Sequence, residues 1–264
     1  MGRKFKDYYD LELANNLSKK IGQINQQFDQ QAFISHIHDQ LKDQNLFARL
    51  DLFSDAFDLA LPADYPENIN TFTCLLGPEL QTEKGMYSEG WWLWPIGRYV
   101  ERHALEDYLT SIAFSYLLTK RFTGEFTMRP LLAAYPEKTL NILLNWAHDE
   151  NVHVRRLSSE CLRIRLPWAK RLTVALDYFD AFRAVLTQLN KDRSRFVQKS
   201  VANNLNDLMK ERPDKAREII DEWQKSEPAK ETLWIIRHGT RNEIRKDSLE
   251  IESQNKDNTM CQRK

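Results

Sequence analysis

Three carboxylates in this chain sit in surroundings that do not suit an ordinary solvated side chain. Glu125 lies within Arg121-Phe122-Thr123-Gly124-Glu125-Phe126-Thr127-Met128-Arg129-Pro130, flanked by phenylalanines with an arginine on either side. The plain alternative is helix capping, in which Thr123 or Gly124 caps and Glu125 favours the first turn. Glu160 ends Val154-Arg155-Arg156-Leu157-Ser158-Ser159-Glu160. Arg156 is four residues before it, the spacing of a helical ion pair. Asp207 ends Ser200-Val201-Ala202-Asn203-Asn204-Leu205-Asn206-Asp207. Asparagines are poor helix formers because their amides compete for the backbone. Asn203, Asn206 and Asp207 nonetheless share one helical face. Polar groups kept at that cost point either to hydrogen bonding between neighbouring helices or to a site.

Trp168 adds an aromatic to these acids. It stands in Arg163-Ile164-Arg165-Leu166-Pro167-Trp168-Ala169-Lys170-Arg171. An aromatic surface with several cations can hold a nucleic-acid backbone and a base; a hydrophobic plug between helices is the competing reading. Other chemistries lack their signatures. The chain has no GxGxxG and no GxxxxGK[ST] motif. His36, His38, His103, His148, His153 and His238 form no HExxH. His36 and His38, two apart, would point to different sides of a helix. Cys74, Cys161 and Cys261 give neither a disulfide framework nor a metal quartet. No metal and no cofactor is expected.

Composition sets the frame for these residues. The chain has 264 residues, 42% apolar and 29% charged, with only 8 glycines and 9 prolines. That excludes a disordered or collagen-like chain. No apolar run reaches the roughly 20 residues of a membrane span, and the basic start lacks the apolar core of a signal peptide. The expectation is a soluble protein of the cytoplasm. Net charge is zero, but residues 1–110 hold 10 basic and 17 acidic side chains, whereas 111–210 hold 16 and 9. The excess is sharpest over 151–200, with 11 basic against 4 acidic. A neutral chain can carry a basic face, and a polyanion meets that local field.

The elements that must position these residues are read as helices. Apolar spacing predicts them over 11–25, 31–43, 45–61, 67–76, 96–103, 105–121, 125–133 and 136–147. The series continues over 152–163, 168–175, 179–189, 194–211, 213–225 and 229–244. The stretch 77–95 reads as a loop ending in Trp91-Trp92-Leu93-Trp94-Pro95. An internal repeat supports the reading. Aligning Asp149 with Asp192 places Val154 on Val197, Arg156 on Lys199, Ser159 on Ala202 and Leu162 on Leu205, an offset of 43. A looser copy places Ile235 on Val197 and Arg237 on Lys199, an offset of 38. Two-helix units of about 40–47 residues are the signature of a HEAT-like solenoid. The fold class is all-α, with residues 1–246 as one repeat domain and 247–264 as a polar, disordered tail. The recurring basic residue would line a concave face.

These motifs together carry a resemblance. Trp94-Pro95, Arg121-Phe122-Thr123-Gly124-Glu125-Phe126, Met128-Arg129-Pro130, His153-Val154-Arg155-Arg156-Leu157, the segment around Trp168, the segment ending in Asp207, and Trp234-Ile235-Ile236-Arg237-His238 resemble the DNA alkylation repair family, in its AlkC-like branch of HEAT-repeat glycosylases. The likeness runs from about residue 5 to about 246. It implies a solenoid whose concave basic face binds duplex DNA. It implies hydrolysis of the N-glycosidic bond of cationic alkylated bases, 3-methyladenine and in this branch 3-methylcytosine, without lyase chemistry and without swinging the lesion into a deep pocket. The family's catalytic carboxylates map onto Glu125 and Asp207 and its active-site tryptophan onto Trp168. Arg155, Arg156, Arg163, Arg165, Lys199 and Arg237 are the expected phosphate contacts. A monomer acting on double-stranded DNA, with no membrane partner, completes the expectation.

Two departures stand out. Gly239 should weaken the last helix by about 1 kcal/mol relative to alanine, which predicts a frayed final repeat. Gln198 occupies a place where another arginine would strengthen the basic stripe. Two rival functions use the same fold: a non-catalytic module for damaged or branched DNA, and a scaffold for protein partners.

Overall fold

The computed structural model describes residues 3–83, 89–225 and 227–243. The tail 247–264 lies outside the described residues. Among those described the chain is all-helical, with no strand. It divides into two compact units, Met1–Leu140 and Asn141–Lys264.

The first unit contains α1 (Leu11–Ile24), α2 (Gln30–Gln40), α3 (Leu46–Ala60), α4 (Tyr65–Leu75), α5 (Trp94–His103), α6 (Tyr108–Thr119) and α7 (Glu125–Ala134). Most of these helices start on a side-chain cap: Asp10, Asp29, Asn45, Asp64 and Asp107 each accept a bond from a backbone N–H in the first turn. Such caps satisfy amides that the helix itself cannot. The break expected near 62–66 is real. Asp64 caps α4 and Pro66 enters its first turn, where the missing N–H costs nothing. The core is aromatic: Phe33 stacks on Phe57 at 4.9 Å, Phe57 meets Phe72 at 5.0 Å and Phe72 meets Tyr99 at 5.3 Å. Beside it α3 and α5 pair through Asp51–Arg98 (2.7 Å), Asp55–Arg102 (2.6 Å) and Asp58–His103 (3.0 Å). Trp94, fully buried, packs near Phe122 and Phe126, the aromatics that flank Glu125.

The helix α8 (Pro136–Trp146) contains the boundary between units. The second unit continues with α9 (Val152–Glu160), α10 (Val174–Asp177), α11 (Phe179–Leu189), α12 (Arg195–Glu211), α13 (Pro213–Gln224) and α14 (Lys230–Gly239). Here α12 packs between α9 and α14, so the second helices of successive repeats lie side by side. Val154, Leu162, Val197, Leu205 and Ile235, the aligned apolar positions, are all buried.

The repeat reaches into the loops. Asp149 Oδ1 accepts the Asn151 N–H at 2.7 Å, and Asp192 Oδ1 accepts the Ser194 N–H at 2.8 Å. Arg155 donates to the Asp149 carbonyl at 2.9 Å, and Gln198, its repeat equivalent, donates to the Asp192 carbonyl at 2.7 Å. Gln198 is buried in this brace. It is therefore no gap in a basic surface stripe.

Two expected helices differ. Residues 168–173 are irregular and the helix is α10 alone, because Trp168 has φ +65°, outside any right-handed helix. The last helix, expected over 229–244, runs 230–239, with a turn at Thr240 and helical residues again at 241–243; residue 244 lies outside the described residues. Gly239 is buried at its end, and a Cβ there would lie 2.9 Å from Leu205 Cβ and 3.3 Å from the Ala202 carbonyl. The glycine permits close approach of α14 to α12, and that packing offsets its poor helix propensity.

Candidate active site

Asp207 sits one turn before the end of α12, with Glu211 four residues on at the helix terminus. Spacing of four places both carboxylates on one face. That face meets the irregular segment 161–173 that follows α9. Arg163, in this segment, donates through Nε to Asp207 Oδ2 at 3.1 Å and through Nη1 to Glu160 Oε1 at 3.1 Å. The Arg165 backbone N–H donates to the same Asp207 oxygen at 3.3 Å. Both bonds fall on Oδ2; Oδ1 accepts none among the described residues. Asp207 is only 3% exposed and Glu160 6%. Burying a carboxylate is costly unless charge and hydrogen bonds compensate. Here one guanidinium bridges two carboxylates, and Arg156 Nη2 lies 3.6 Å from Glu160. Burial pushes the Glu160 carboxyl up, but Arg156, Arg163 and a hydrogen bond from Ser200 outweigh it and hold the group below its ordinary range.

The asparagines of α12 do the other job the sequence left open. Asn204 donates to the Ser159 carbonyl at 2.8 Å, and Asn206 donates to the Gly239 carbonyl at 2.8 Å. Asn203 accepts from Arg241 at 3.3 Å. These bonds tie α12 to its neighbours, whereas Asp207 enters an ion pair with Arg163.

Trp168 is 52% exposed and stands at φ +65°. A bulky side chain in the left-handed region costs on the order of 1–2 kcal/mol and persists only where the surroundings enforce it. The enforcement is visible. Leu172 N–H donates to the Ile164 carbonyl at 3.2 Å, closing the loop at its base. Arg165 and Arg171, three residues either side of Trp168, both pair with Glu211, at 2.7 and 2.5 Å.

Glu125 belongs to the first unit and is the first residue of α7. Gly124 is the cap position but gives no side-chain bond. Thr123 instead donates its hydroxyl to the Glu125 carboxylate. The carboxylate is 4% exposed and sits at the positive end of the helix dipole, a favourable place for an acid. A capping glutamate is ordinarily solvated; this one is buried.

The expected phosphate contacts separate into two groups. Arg155 is committed inward, to Asp192 Oδ2 at 2.6 Å and to the carbonyls of Asp149 and Glu150 at 2.9 Å. Arg156 lies over the Phe196 ring at 4.7 Å, and Arg163 is held by Glu160 and Asp207. Arg165 is half exposed while paired to Glu211. Lys199 and Arg237 are exposed and have no ion-pair partner among the described residues. Beside them Arg195, which no quoted motif contains, lies over Trp234 at 4.0 Å, and His238 stacks on Trp234 at 4.7 Å. Trp234 and His238 stand in the quoted motif, but no role is read for them from it; their four-residue spacing puts them on one helical face. Among the described residues no cluster of histidine, cysteine and acids could hold a metal ion, and no helix is long and apolar enough to cross a membrane.

Residues 124–242 match the family described as DNA alkylation repair enzyme. The chain is 40% identical over 148 residues to the uncharacterized protein YhaZ of Bacillus subtilis, covering 56% of this chain and 41% of that one. It superposes with a TM-score of 0.81 on the Pseudomonas fluorescens alkylpurine DNA glycosylase AlkC, a structure bound to DNA containing an abasic site analog. That likeness covers 92% of this chain and 66% of the other at 28% identity. The chain thus spans less than two thirds of the length of either relative.

Proposed function

We propose that this chain, whose residues 124–242 match the family described as DNA alkylation repair enzyme, is a monofunctional DNA glycosylase that hydrolyses the N-glycosidic bond of cationic alkylated bases, 3-methyladenine foremost and 3-methylcytosine with it. One observation carries the reading most directly: a buried aspartate, Asp207, with one oxygen held by Arg163 and the Arg165 amide and the other accepting no bond among the described residues, next to a strained loop that exposes Trp168.

The chemistry follows from the substrate. An alkylated base already bears positive charge, so it leaves without being protonated. The group needing stabilisation is the cationic deoxyribose formed as the C–N bond breaks. A carboxylate beside the sugar stabilises that charge electrostatically and orients the attacking water. Asp207 Oδ2 is fixed by its donors, which leaves Oδ1 to accept from the water. Glu125 is the second proposed carboxylate, held by Thr123 and the start of α7. Trp168 packs against lesion or sugar and keeps bulk water out. No lysine nucleophile is required, so the strand is left intact. Lys199 and Arg237, with Arg165 at the loop, are the proposed phosphate contacts. The partner is double-stranded DNA met by a monomer in the cytoplasm; no cofactor enters the scheme.

A second reading, a module that binds damaged DNA without excising bases, draws on the same ion pair. Arg163 offsets the negative charge that Asp207 would offer the sugar. The Asp207→Asn variant separates the two. For a glycosylase it loses base release and keeps duplex binding; for a binding module parent and variant behave alike.

A further inference from the structure

Glu211 is the residue that joins both ends of the Trp168 loop to the helix carrying Asp207. Its Oε1 takes Arg165 Nε at 2.7 Å and its Oε2 takes Arg171 Nη2 at 2.5 Å. The two arginines bracket 166–170 symmetrically about Trp168. Their side chains are 53% and 54% exposed, whereas that of Glu211 is 11% exposed. A lone surface ion pair of that exposure contributes little to stability. A single carboxylate that engages two guanidiniums with separate oxygens does something else: it fixes the distance between two points of a loop. No helix or strand spans 161–173 to do this by backbone bonding. Backbone tethers near the tryptophan include the Leu172–Ile164 bond, the Ala169–Leu166 bond at 3.2 Å and the bond from the Arg165 amide to Asp207.

We propose that Glu211 is a positioning residue: it straps the loop through Arg165 and Arg171 and so holds Trp168 in register with Asp207. The proposal rests on the glycosylase reading for its effect on catalysis; the strap itself does not. The arginines keep the Glu211 carboxyl below its ordinary range, Arg165 foremost, so the strap stays charged at neutral pH. Arg165, half exposed, can turn toward a phosphate only by leaving Glu211. Arg171 would then be the arginine still engaged by Glu211.

Two measurements on Glu211→Gln test this. The first is limited trypsin cleavage after Lys170 and Arg171, both exposed residues of the loop. The strap predicts cleavage about tenfold faster in the variant, since local opening sets the rate, with an unchanged thermal midpoint. Unchanged cleavage overturns the proposal. The second is a double-mutant cycle on release of methylated bases. Glu211→Gln alone should lower kcat about ten- to a hundredfold, the cost of a small misplacement, with little change in duplex affinity. In a Trp168→Ala background the same change should have almost no further effect, because the residue it positions is gone. A full, additive loss in that background means that Glu211 acts elsewhere and contradicts the positioning role. If the parent itself releases no base, the glycosylase reading fails. The cleavage comparison then decides the strap by itself.

Discussion

Arg163 donates to Asp207 across 3.1 Å with its guanidinium largely buried, and the same side chain bridges to Glu160. The pair joins the segment after α9 to α12. It explains how two buried carboxylates persist in one small region. Removing one member of a buried charge pair leaves the other uncompensated and costs about 3–5 kcal/mol. Arg163→Met is therefore expected to be among the more destabilising substitutions in the second unit, read as a drop in the urea midpoint. Arg163→Lys keeps the charge but not the fork geometry and should fall between. A methionine variant as stable as the parent would show that the bridge holds nothing.

Trp168 makes the opposite prediction. Its left-handed backbone is strained and its ring is half exposed, so the side chain contributes little to the core. Trp168→Gly relieves the strain and should leave the thermal midpoint within about 4 °C of the parent. Base release should nevertheless fall sharply. Loss of stability with retained activity would place the ring in the core and remove it from the site.

The cations should separate in a salt titration. Lys199→Glu and Arg237→Glu are each expected to weaken binding to any duplex. Each should also lower the slope of log affinity against log salt by about 1, as one phosphate is no longer neutralised. Arg155→Glu should instead act on stability, because it places an acid against Asp192 and breaks the brace to Asp149 and Glu150. A stable Arg155→Glu protein with a lowered salt slope would return that residue to the phosphate-binding set.

The carboxyl of Glu160 sets an acid limit. Its folded value lies below the ordinary 4.5, against the effect of burial, because of Arg156, Arg163 and Ser200. A depressed folded value means that the ionised form stabilises the fold. That contribution is present above pH 4.5 and is lost as pH falls through the folded value. Glu160→Gln should be less stable than the parent at pH 7 and should lose less on acidification between about pH 5 and 3. Parallel stability curves for the two proteins would refute the assignment.

Much of this architecture is legible in the chain. The offset of 43 aligns not only Val154 with Val197 and Leu162 with Leu205 but also Asp149 with Asp192, whose carboxylates make the same turn in both repeats. Helix starts are readable because a cap is a local event between a side chain and an amide two or three residues on. Glu125, Glu160 and Asp207 stand out as acids in odd places because burial of charge conflicts with helical patterning. What the chain does not disclose is long-range. The reach of Arg155 to Asp192 spans 37 residues, and that of Arg165 to Glu211 spans 46; neither is a spacing of a single helix. So Arg155 reads as a phosphate contact, and nothing in its local sequence marks Glu211. Gly239 reads as a weakness because its partner, Leu205, is on another helix. The helix expected over 168–175 fails for a related reason: local propensity favours it, and Glu211, which pairs with Arg165 and Arg171 on either side of the left-handed Trp168, is a residue of α12.

In the proposed function Asp207 drives hydrolysis of alkylated bases. The most direct measurement is mass analysis of bases released from DNA treated with a methylating agent, comparing the parent with Asp207→Asn at matched duplex binding. The parent reaction should release 3-methyladenine or 3-methylcytosine, with a loss of about a hundredfold or more in the variant. Equal release by both, or none by a parent that still binds duplex DNA with strong salt dependence, would contradict it.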